Sequence, residues 1–134
     1  MANQRRAAVV SVLAATVWII VSEFVRNELL FKSYWSAHYL GLGLQFPSGP
    51  VNGAVWGLWS LLLAAAIAII ARRFTLLQTT LLAWLMAFVM MWVVIWNMNV
   101  LPHGLLVFAV PLSLLEVFVA AWLVRRFGGA GDAR

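Results

Sequence analysis

The chain has 134 residues, of which 65% are hydrophobic and 10% charged, and its mean hydropathy is +0.98. A water-soluble domain of this size has too much surface for its volume to bury so many apolar side chains, which excludes a soluble protein. The net charge of +5 is therefore interpreted as arginine topology signals and not as a nucleic-acid-binding surface. The absence of cysteine excludes disulfides, thiol chemistry and cysteine-held metal or iron–sulfur sites.

Four apolar stretches are long enough to cross a bilayer, which takes about 20 helical residues. The first, at about residues 7–25, follows a short basic lead and is not followed by the small-residue cleavage site of a signal peptide. The others lie at about residues 51–71, 76–95 and 104–124. We therefore expect an all-α membrane protein, a single domain over residues 1–134 with four antiparallel transmembrane helices.

The connection over residues 26–50 is the longest in the chain. Its first part mixes charges with large apolar side chains, and Glu28 precedes Lys32 by four residues, the favourable order for a helical ion pair. The aromatic residues between positions 34 and 39 suit the lipid headgroup layer. This composition predicts a short interfacial helix or loop between the first and second spans, which ends at the glycines and prolines of residues 41–50.

A short motif follows the first span, formed by Leu29, Leu30, Phe31, Lys32 and Trp35. With three further spans behind it, it resembles the Leu-Phe-Gly-Lys-x-Trp-like motif of an uncharacterised family of small four-helix bacterial integral membrane proteins. The glycine is absent here, and Trp35 stands one residue later. The resemblance implies the fold and a bacterial membrane, and it carries over no functional residues. The midplane glutamate that small multidrug exporters have in their first helix is not found, which argues against that class.

The second span places small residues on one helical face, including a Gly-x-x-x-Gly pair. They are Gly53, Gly57, Ser60, Ala64 and Ala68. Such a face predicts close packing against another helix.

Aromatic residues recur every four positions along the third span. They are Trp84, Phe88, Trp92 and Trp96. This stripe is typical of packing against small-faced neighbours or lipid, and a shelf for a cofactor or quinone is the alternative.

The arginines predict the orientation. Those on one side of a four-span arrangement are Arg5, Arg6, Arg72, Arg73, Arg125, Arg126 and Arg134. Only Arg26 and Lys32 fall on the other side, so the positive-inside rule places both termini in the cytoplasm. We expect a location in the bacterial inner membrane, with the lipid bilayer as partner and association into a homo-oligomer or a larger membrane complex as a further expectation.

Polar residues gather at the predicted outer end of the spans. They are Glu23, Arg26, Asn52, Asn97, Asn99 and His103. One interpretation is a vestibule for a small solute or ion, and the simpler one is helix capping and interfacial hydrogen bonding. Glu23 and Arg26, three residues apart, are expected to form a pair at the rim.

Glu116 is the only carboxylate deep inside an apolar segment, and it shares a helical face with Ser113. An ionised group at this depth is costly and normally faces protein or water. Because no Lys, Arg or His lies at its depth in this topology, we expect a neutral acid that hydrogen-bonds a neighbouring helix, with Thr16 and Ser60 at matching depth. The alternative role is proton-linked transport or a counter-ion for a cationic ligand.

The sequence thus predicts a non-enzymatic membrane protein, either an accessory subunit or a transporter-like binder of a small or cationic ligand, with Glu116 and Ser113 as ligand- or proton-binding residues. The alternative is a lipid-modifying membrane enzyme that works at the outer interface through Glu23, His38 and His103. No catalytic residue is assigned, because no Gly-x-Ser-x-Gly turn is present. No metal or other cofactor is predicted, because each histidine stands alone and no metal-ligand spacing occurs.

Overall fold

The computed structural model describes residues 2–129, and every regular element in that range is a helix. Four helices are long and apolar enough to cross a membrane: Ala2–Leu30, Pro50–Ile70, Leu76–Asn97 and His103–Gly128. This confirms the predicted all-helical membrane protein with four candidate spans. Arg134, which contributes to the orientation argument, lies outside the described residues.

Several of the spans contain more than one type of helix. The elements are α1 (Ala2–Phe24), which continues as a π-helix over Val25–Leu30, α2 (Lys32–Gly41), α3 (Pro50–Ile70), α4 (Leu76–Trp84), a second π-helix (Leu85–Val89), α5 (Met90–Asn97), a short 3₁₀ helix (His103–Leu105) and α6 (Leu106–Gly128).

The helix ends follow from local chemistry. α3 begins with Pro50, whose fixed φ suits a first helical turn and whose missing N–H removes no bond there. α4 begins with a capping box, in which Gln78 N donates to Thr75 Oγ1 at 3.3 Å and Thr75 N donates to Gln78 Oε1 at 3.1 Å. α6 ends at Gly128 and is capped by Gly129, whose φ of 66° is a left-handed conformation that glycine adopts without strain.

The first span extends beyond the predicted end at residue 25 and continues to Leu30. Glu23 and Arg26 lie inside this longer helix and are 6% and 7% exposed. Arg26 pairs with both Glu23 and the buried Glu116. These charged residues therefore face the interior of the bundle and do not mark the end of the helix at the solvent.

The core lies where α1, α3, α4 and α6 meet, and small side chains let the helices approach. Its fully buried members include Ala15, Ile19, Ala64, Ile67, Val117, Ala120 and Ala121. Packing contacts and not interhelical hydrophobicity stabilise such an interface in lipid.

The small-residue face of α3 is packed in its second half only. Ser60 and Ala64 are buried, whereas a Cβ placed on Gly53 or Gly57 would have no described atom outside its own helix turn within 4 Å. Both glycines line a cavity. Within the described residues, no other helix of the chain packs closely against the Gly-x-x-x-Gly pair, because this part of α3 faces the cavity.

Candidate functional site

A buried group of two carboxyls and one guanidinium joins the first and fourth spans. Arg26 Nη1 donates to Glu116 Oε2 at 3.0 Å, and Arg26 Nη2 pairs with Glu23 Oε1. The side chains of Arg26, Glu23 and Glu116 are 9%, 7% and 0% exposed. With all three groups ionised, this Glu23–Arg26–Glu116 triad carries one net negative charge.

The expectation that no cation reaches Glu116 is wrong, since Arg26 contacts it directly. The residue stands within the prolonged first helix, and its long side chain extends to the acid of α6. The proposed hydroxyl partners are also different: Thr16 donates to the Val12 carbonyl at 2.8 Å, and Ser60 donates within its own helix in the same way. The hydroxyl that reaches Glu116 belongs to Ser22, whose Oγ donates to Oε2 at 3.0 Å.

A second contact fixes the two helices at this level. Trp18 Nε1 donates to the main-chain carbonyl of Glu116 at 2.9 Å. Trp18 and Ser22 are one helical turn apart on α1, so the main chain and the side chain of the same acid are both held by that helix. These two contacts with α1 therefore help to fix the position of Glu116, which belongs to α6.

Both π-helical turns contribute to the site. Arg26 belongs to Val25–Leu30 and Phe88 to Leu85–Val89, and the guanidinium carbon lies 5.3 Å from the centre of the Phe88 ring. This is a cation–π contact in a buried place. π-helical turns are rare and occur often at functional sites, where they turn a side chain out of the regular helical register.

The triad is connected to α2 through Asn27. Asn27 Nδ2 donates to Glu23 Oε2 at 2.6 Å, and its Oδ1 accepts from Trp35 Nε1 at 3.0 Å. A ring nitrogen of His38 lies 2.8 Å from the Val100 carbonyl, which attaches α2 to the turn before the fourth span. A change at the Glu23 carboxyl therefore has a direct hydrogen-bonded path to α2.

A cavity of about 620 Å³ adjoins the triad on the side of α2 and α3. Glu23, Arg26, Asn27 and Glu28 form its polar end. Most of the remaining wall is aromatic or aliphatic, with rings from Trp35, Tyr39, Phe46, Trp56, Phe88 and Trp92. Volumes of about 300–1,000 Å³, apolar walls and a few convergent polar groups are typical of small-molecule sites.

A smaller cavity of about 210 Å³ lies on the other side of the triad, between the first and fourth spans. Ser22 and Glu116 line it, together with Trp18 and apolar neighbours. Arg26 lines both cavities. Its side chain therefore stands between the cavity that Glu23 lines and the cavity that Glu116 lines.

Ser113, predicted beside Glu116 as a ligand or proton group, is fully buried and has other partners. Its hydroxyl accepts from Trp84 Nε1 at 2.9 Å and donates to the Val110 carbonyl at 3.1 Å. One indole of the aromatic stripe, that of Trp84, thus connects the third span to α6 by a hydrogen bond. The rings of Trp84 and Trp92 are in edge contact at 5.9 Å.

The predicted outer polar cluster is divided between two places. Glu23, Arg26 and Asn52 line the larger cavity. Asn97, Asn99 and His103 are exposed in and beside the turn between the third and fourth spans. Asn99 has a φ of 58° there, a left-handed conformation that asparagine tolerates better than most residues.

The residues of the alternative enzyme hypothesis have separate surroundings. Glu23 contacts Arg26 and Asn27, His38 lies against the Val100 carbonyl, and His103 is exposed. Within residues 2–129 no three His, Asp or Glu side chains gather as metal ligands would.

Four polar residues of the site share one helical face and form a signal in the sequence. Ser22, Glu23, Arg26 and Asn27 follow the 3–4 periodicity of a helix that turns one face to the bundle. The sequence interpretation ended the first helix at residue 25 and so missed this face, together with the roles of Ser22, Asn27, Trp35 and Phe88.

Comparison of the chain with protein families, with curated protein sequences and with solved structures found no match. The fold and the site define its class, an all-helical protein with four candidate membrane spans and a buried ion triad beside an aromatic cavity. The resemblance drawn from the first loop stays a prediction.

Proposed function

We propose that this protein is a transporter-like membrane protein that binds a small, largely apolar cation in the 620 Å³ cavity. The observation that carries the proposal is the excess of acid over base at the polar end of an aromatic cavity. A binding role also accounts for a buried carboxylate in a span, since intramembrane ionisable residues mark substrate and ion pathways.

The charge of the site favours a cation over an anion. The one buried cation of the triad, Arg26, is already engaged by Glu23 and Glu116, so the charge left without a partner when both carboxyls are ionised is negative. Aromatic ring faces carry partial negative charge and attract cations, by about 0.5–2 kcal/mol for each good contact. An anionic ligand would be repelled by the ionised carboxyls of the triad and by the faces of the aromatic rings.

The shape of the cavity favours a compact apolar body. Gly53 and Gly57 leave two positions of the α3 wall without a side chain, and Trp56, Phe88 and Trp92 supply flat surfaces. The ligand would therefore be an organic cation with hydrophobic substituents and not a hydrated metal ion.

We infer that the four spans run antiparallel in a bacterial inner membrane with both termini cytoplasmic and α2 at the outer interface. Three contacts support this pairing of ends. Ser11 lies beside Gly128, Tyr34 lies beside Gly104, and Arg125 Nη1 donates to the Phe74 carbonyl at 2.9 Å. Reporter fusions after Arg134 and within residues 36–48 are expected to report opposite sides, and a shared side would contradict this topology.

Binding of tetraphenylphosphonium tests the proposed function. The protein in phosphatidylcholine nanodiscs is titrated calorimetrically with this cation and with triphenylphosphine oxide, a neutral compound with similar rings. We expect saturable binding of the cation and at least about tenfold weaker binding of the neutral compound, which corresponds to about 1.4 kcal/mol. Equal binding of both compounds, or no saturable binding of the cation, would contradict the proposal.

A substitution that fills the cavity provides the structural control. Gly57→Leu places a side chain in the cavity and leaves the three triad residues unchanged, and it should weaken cation binding at least about tenfold. Gly41→Leu is the matched variant, because Gly41 also has no described atom within 4 Å of an added Cβ and does not line the cavity. We expect Gly41→Leu to bind the cation as the wild type does.

A further inference from the structure

We propose that Glu23 and Glu116 share a single proton beside Arg26, and that a cation entering the larger cavity displaces it. The shared proton follows from the geometry of the triad alone. The displacement rests on the proposed function, because it needs a cation in the cavity.

The first argument is the balance of charge. Two carboxylates and one guanidinium leave one negative charge without a partner among groups that are less than a tenth exposed. An unpaired charge in such surroundings is strongly unfavourable, and a site of this kind becomes neutral by taking up a proton. One proton is enough to balance the triad.

The second argument is a missing hydrogen bond. Among the described side chains, Glu116 Oε1 is buried without a donor. The Glu23 carboxyl is the other acid bound to the same Arg26 guanidinium, which brings the two carboxyls side by side. Two ionised carboxylates have no hydrogen to place between them, whereas one protonated carboxyl donates to the other. A single shared proton therefore supplies the missing donor and the missing charge together.

Among the described residues, the cavity is lined by one further charged group besides Glu23 and Arg26, namely Glu28. From the first span, Ser22 and Asn27 contact the carboxyls as neutral groups. The described residues of α3 and of the third span that line the cavity carry no titratable side chain. From α2 only Tyr39 lines the cavity as a titratable group.

Glu28 of the first span, which lines the cavity, and His38 of α2 have partners of their own. Glu28 pairs with Lys32 at 2.6 Å in a half-exposed place, and a ring nitrogen of His38 lies at the Val100 carbonyl. The titration of the site is thus attributed to the two carboxyls of the triad.

The displacement is a simple exchange. A monovalent cation beside Glu23 replaces the positive charge of the proton, so both carboxyls become ionised and one proton passes to the buffer for each cation bound. Arg26 stays charged throughout and lies against both acids. The reaction conserves the net charge of the site, which is the property that proton–cation exchange across a membrane requires.

Two measurements test this inference. The first is infrared difference spectroscopy on the cation-free protein in nanodiscs across a pH titration. We expect the carbonyl band of a protonated carboxyl group at neutral pH, absent or shifted in Glu23→Gln and in Glu116→Gln. Glu28→Gln, which removes the acid of the half-exposed pair, should keep the band. A spectrum with only ionised carboxylates, identical in wild type and both triad variants, would overturn the shared proton.

The second measurement is calorimetric titration with tetraphenylphosphonium in phosphate and in Tris buffer. The two buffers differ in ionisation heat, so the difference between the measured binding heats gives the number of protons released. We expect about one proton for each bound cation at mildly acidic pH. In that range the affinity for the cation should rise about tenfold for each unit by which the pH is raised. Glu23→Gln and Glu116→Gln should release none, and Glu28→Gln should release as many as the wild type. Binding without proton release would overturn the exchange and leave the proposed function standing. No binding at all would overturn the proposed function and the exchange, and the infrared band would then decide the shared proton by itself.

Discussion

The Arg26 guanidinium lies over the Phe88 ring at 5.3 Å from its centre, and each of the two residues belongs to a π-helical turn. Two departures from regular helix geometry, in different spans, thus meet at one contact. Phe88 is 2% exposed and also touches Trp59 and Trp92, so the ring is held from behind by aromatic neighbours. The contact connects the triad to the wall of the larger cavity.

This contact is expected to be worth a measurable coupling energy. A double-mutant cycle of Arg26→Met and Phe88→Leu should give a coupling of about 0.5–2 kcal/mol, as for buried cation–π pairs. The free energies of unfolding come from denaturation in mixed detergent micelles. A matched cycle of Arg26→Met with Phe118→Leu, an exposed phenylalanine of α6, should give a coupling near zero. Equal coupling energies in the two cycles would show that the Phe88 ring does not interact with the charge of Arg26.

Removal of the triad's cation is expected to destabilise the fold strongly. Arg26→Met leaves two buried carboxyls with no positive partner, and breaking a buried ion pair in this way costs about 3–5 kcal/mol. Glu116→Gln should cost less, about 1 kcal/mol, because Glu23 still pairs with Arg26 and the amide can still accept hydrogen bonds. Arg72→Met, at an exposed arginine, is the control and should change stability little. A loss for Arg26→Met no larger than that for Arg72→Met would contradict the buried pair.

The sequence predicts the four spans well, because each span can be recognised from its own length and apolar composition without knowledge of the rest of the fold. Glu116 is also identified correctly as a buried acid, since nothing else in its segment is charged. Its partner is not predicted. Arg26 is 90 residues away, and an arginine beside a predicted helix end suggests the lipid interface unless the helix continues.

The cavity could not be predicted from local patterns either. Gly53 and Gly57 have the spacing of a close helix contact, and the same spacing is compatible with an open wall. Which of the two occurs depends on how α2 and the following loop cover this end of the bundle. Long-range placement of this kind leaves no periodicity in the sequence.

The hydrogen bonds from the triad to α2 predict that this helix loosens when they are removed. Trp35→Phe keeps most of the ring and removes the donor to Asn27, a bond worth about 1 kcal/mol. Hydrogen–deuterium exchange of Lys32–Gly41 should then be about fivefold faster, while exchange in α3 stays unchanged. Trp122→Phe, at an exposed indole of α6, should leave α2 exchange as it is. Unchanged α2 exchange in Trp35→Phe would show that other contacts hold the helix.

Two glycines that look equivalent in the sequence are expected to respond differently to alanine. At Gly57 an added methyl group has free space and removes the entropic disadvantage of glycine inside a helix, so Gly57→Ala should raise the free energy of unfolding by up to about 1 kcal/mol. At Gly104 the methyl group would collide with the Tyr34 hydroxyl, the far end of a half-exposed side chain that can turn aside, so Gly104→Ala should displace Tyr34 and raise stability less than Gly57→Ala does. Thermal unfolding of both variants in the same detergent measures the difference. Tyr34→Phe combined with Gly104→Ala supplies the control, because removal of the colliding oxygen should reduce the difference between the two glycines. A Gly104→Ala that stabilises more than Gly57→Ala, or a Gly57→Ala that destabilises, would mean that α2 and the cavity wall are arranged differently from the contacts described above.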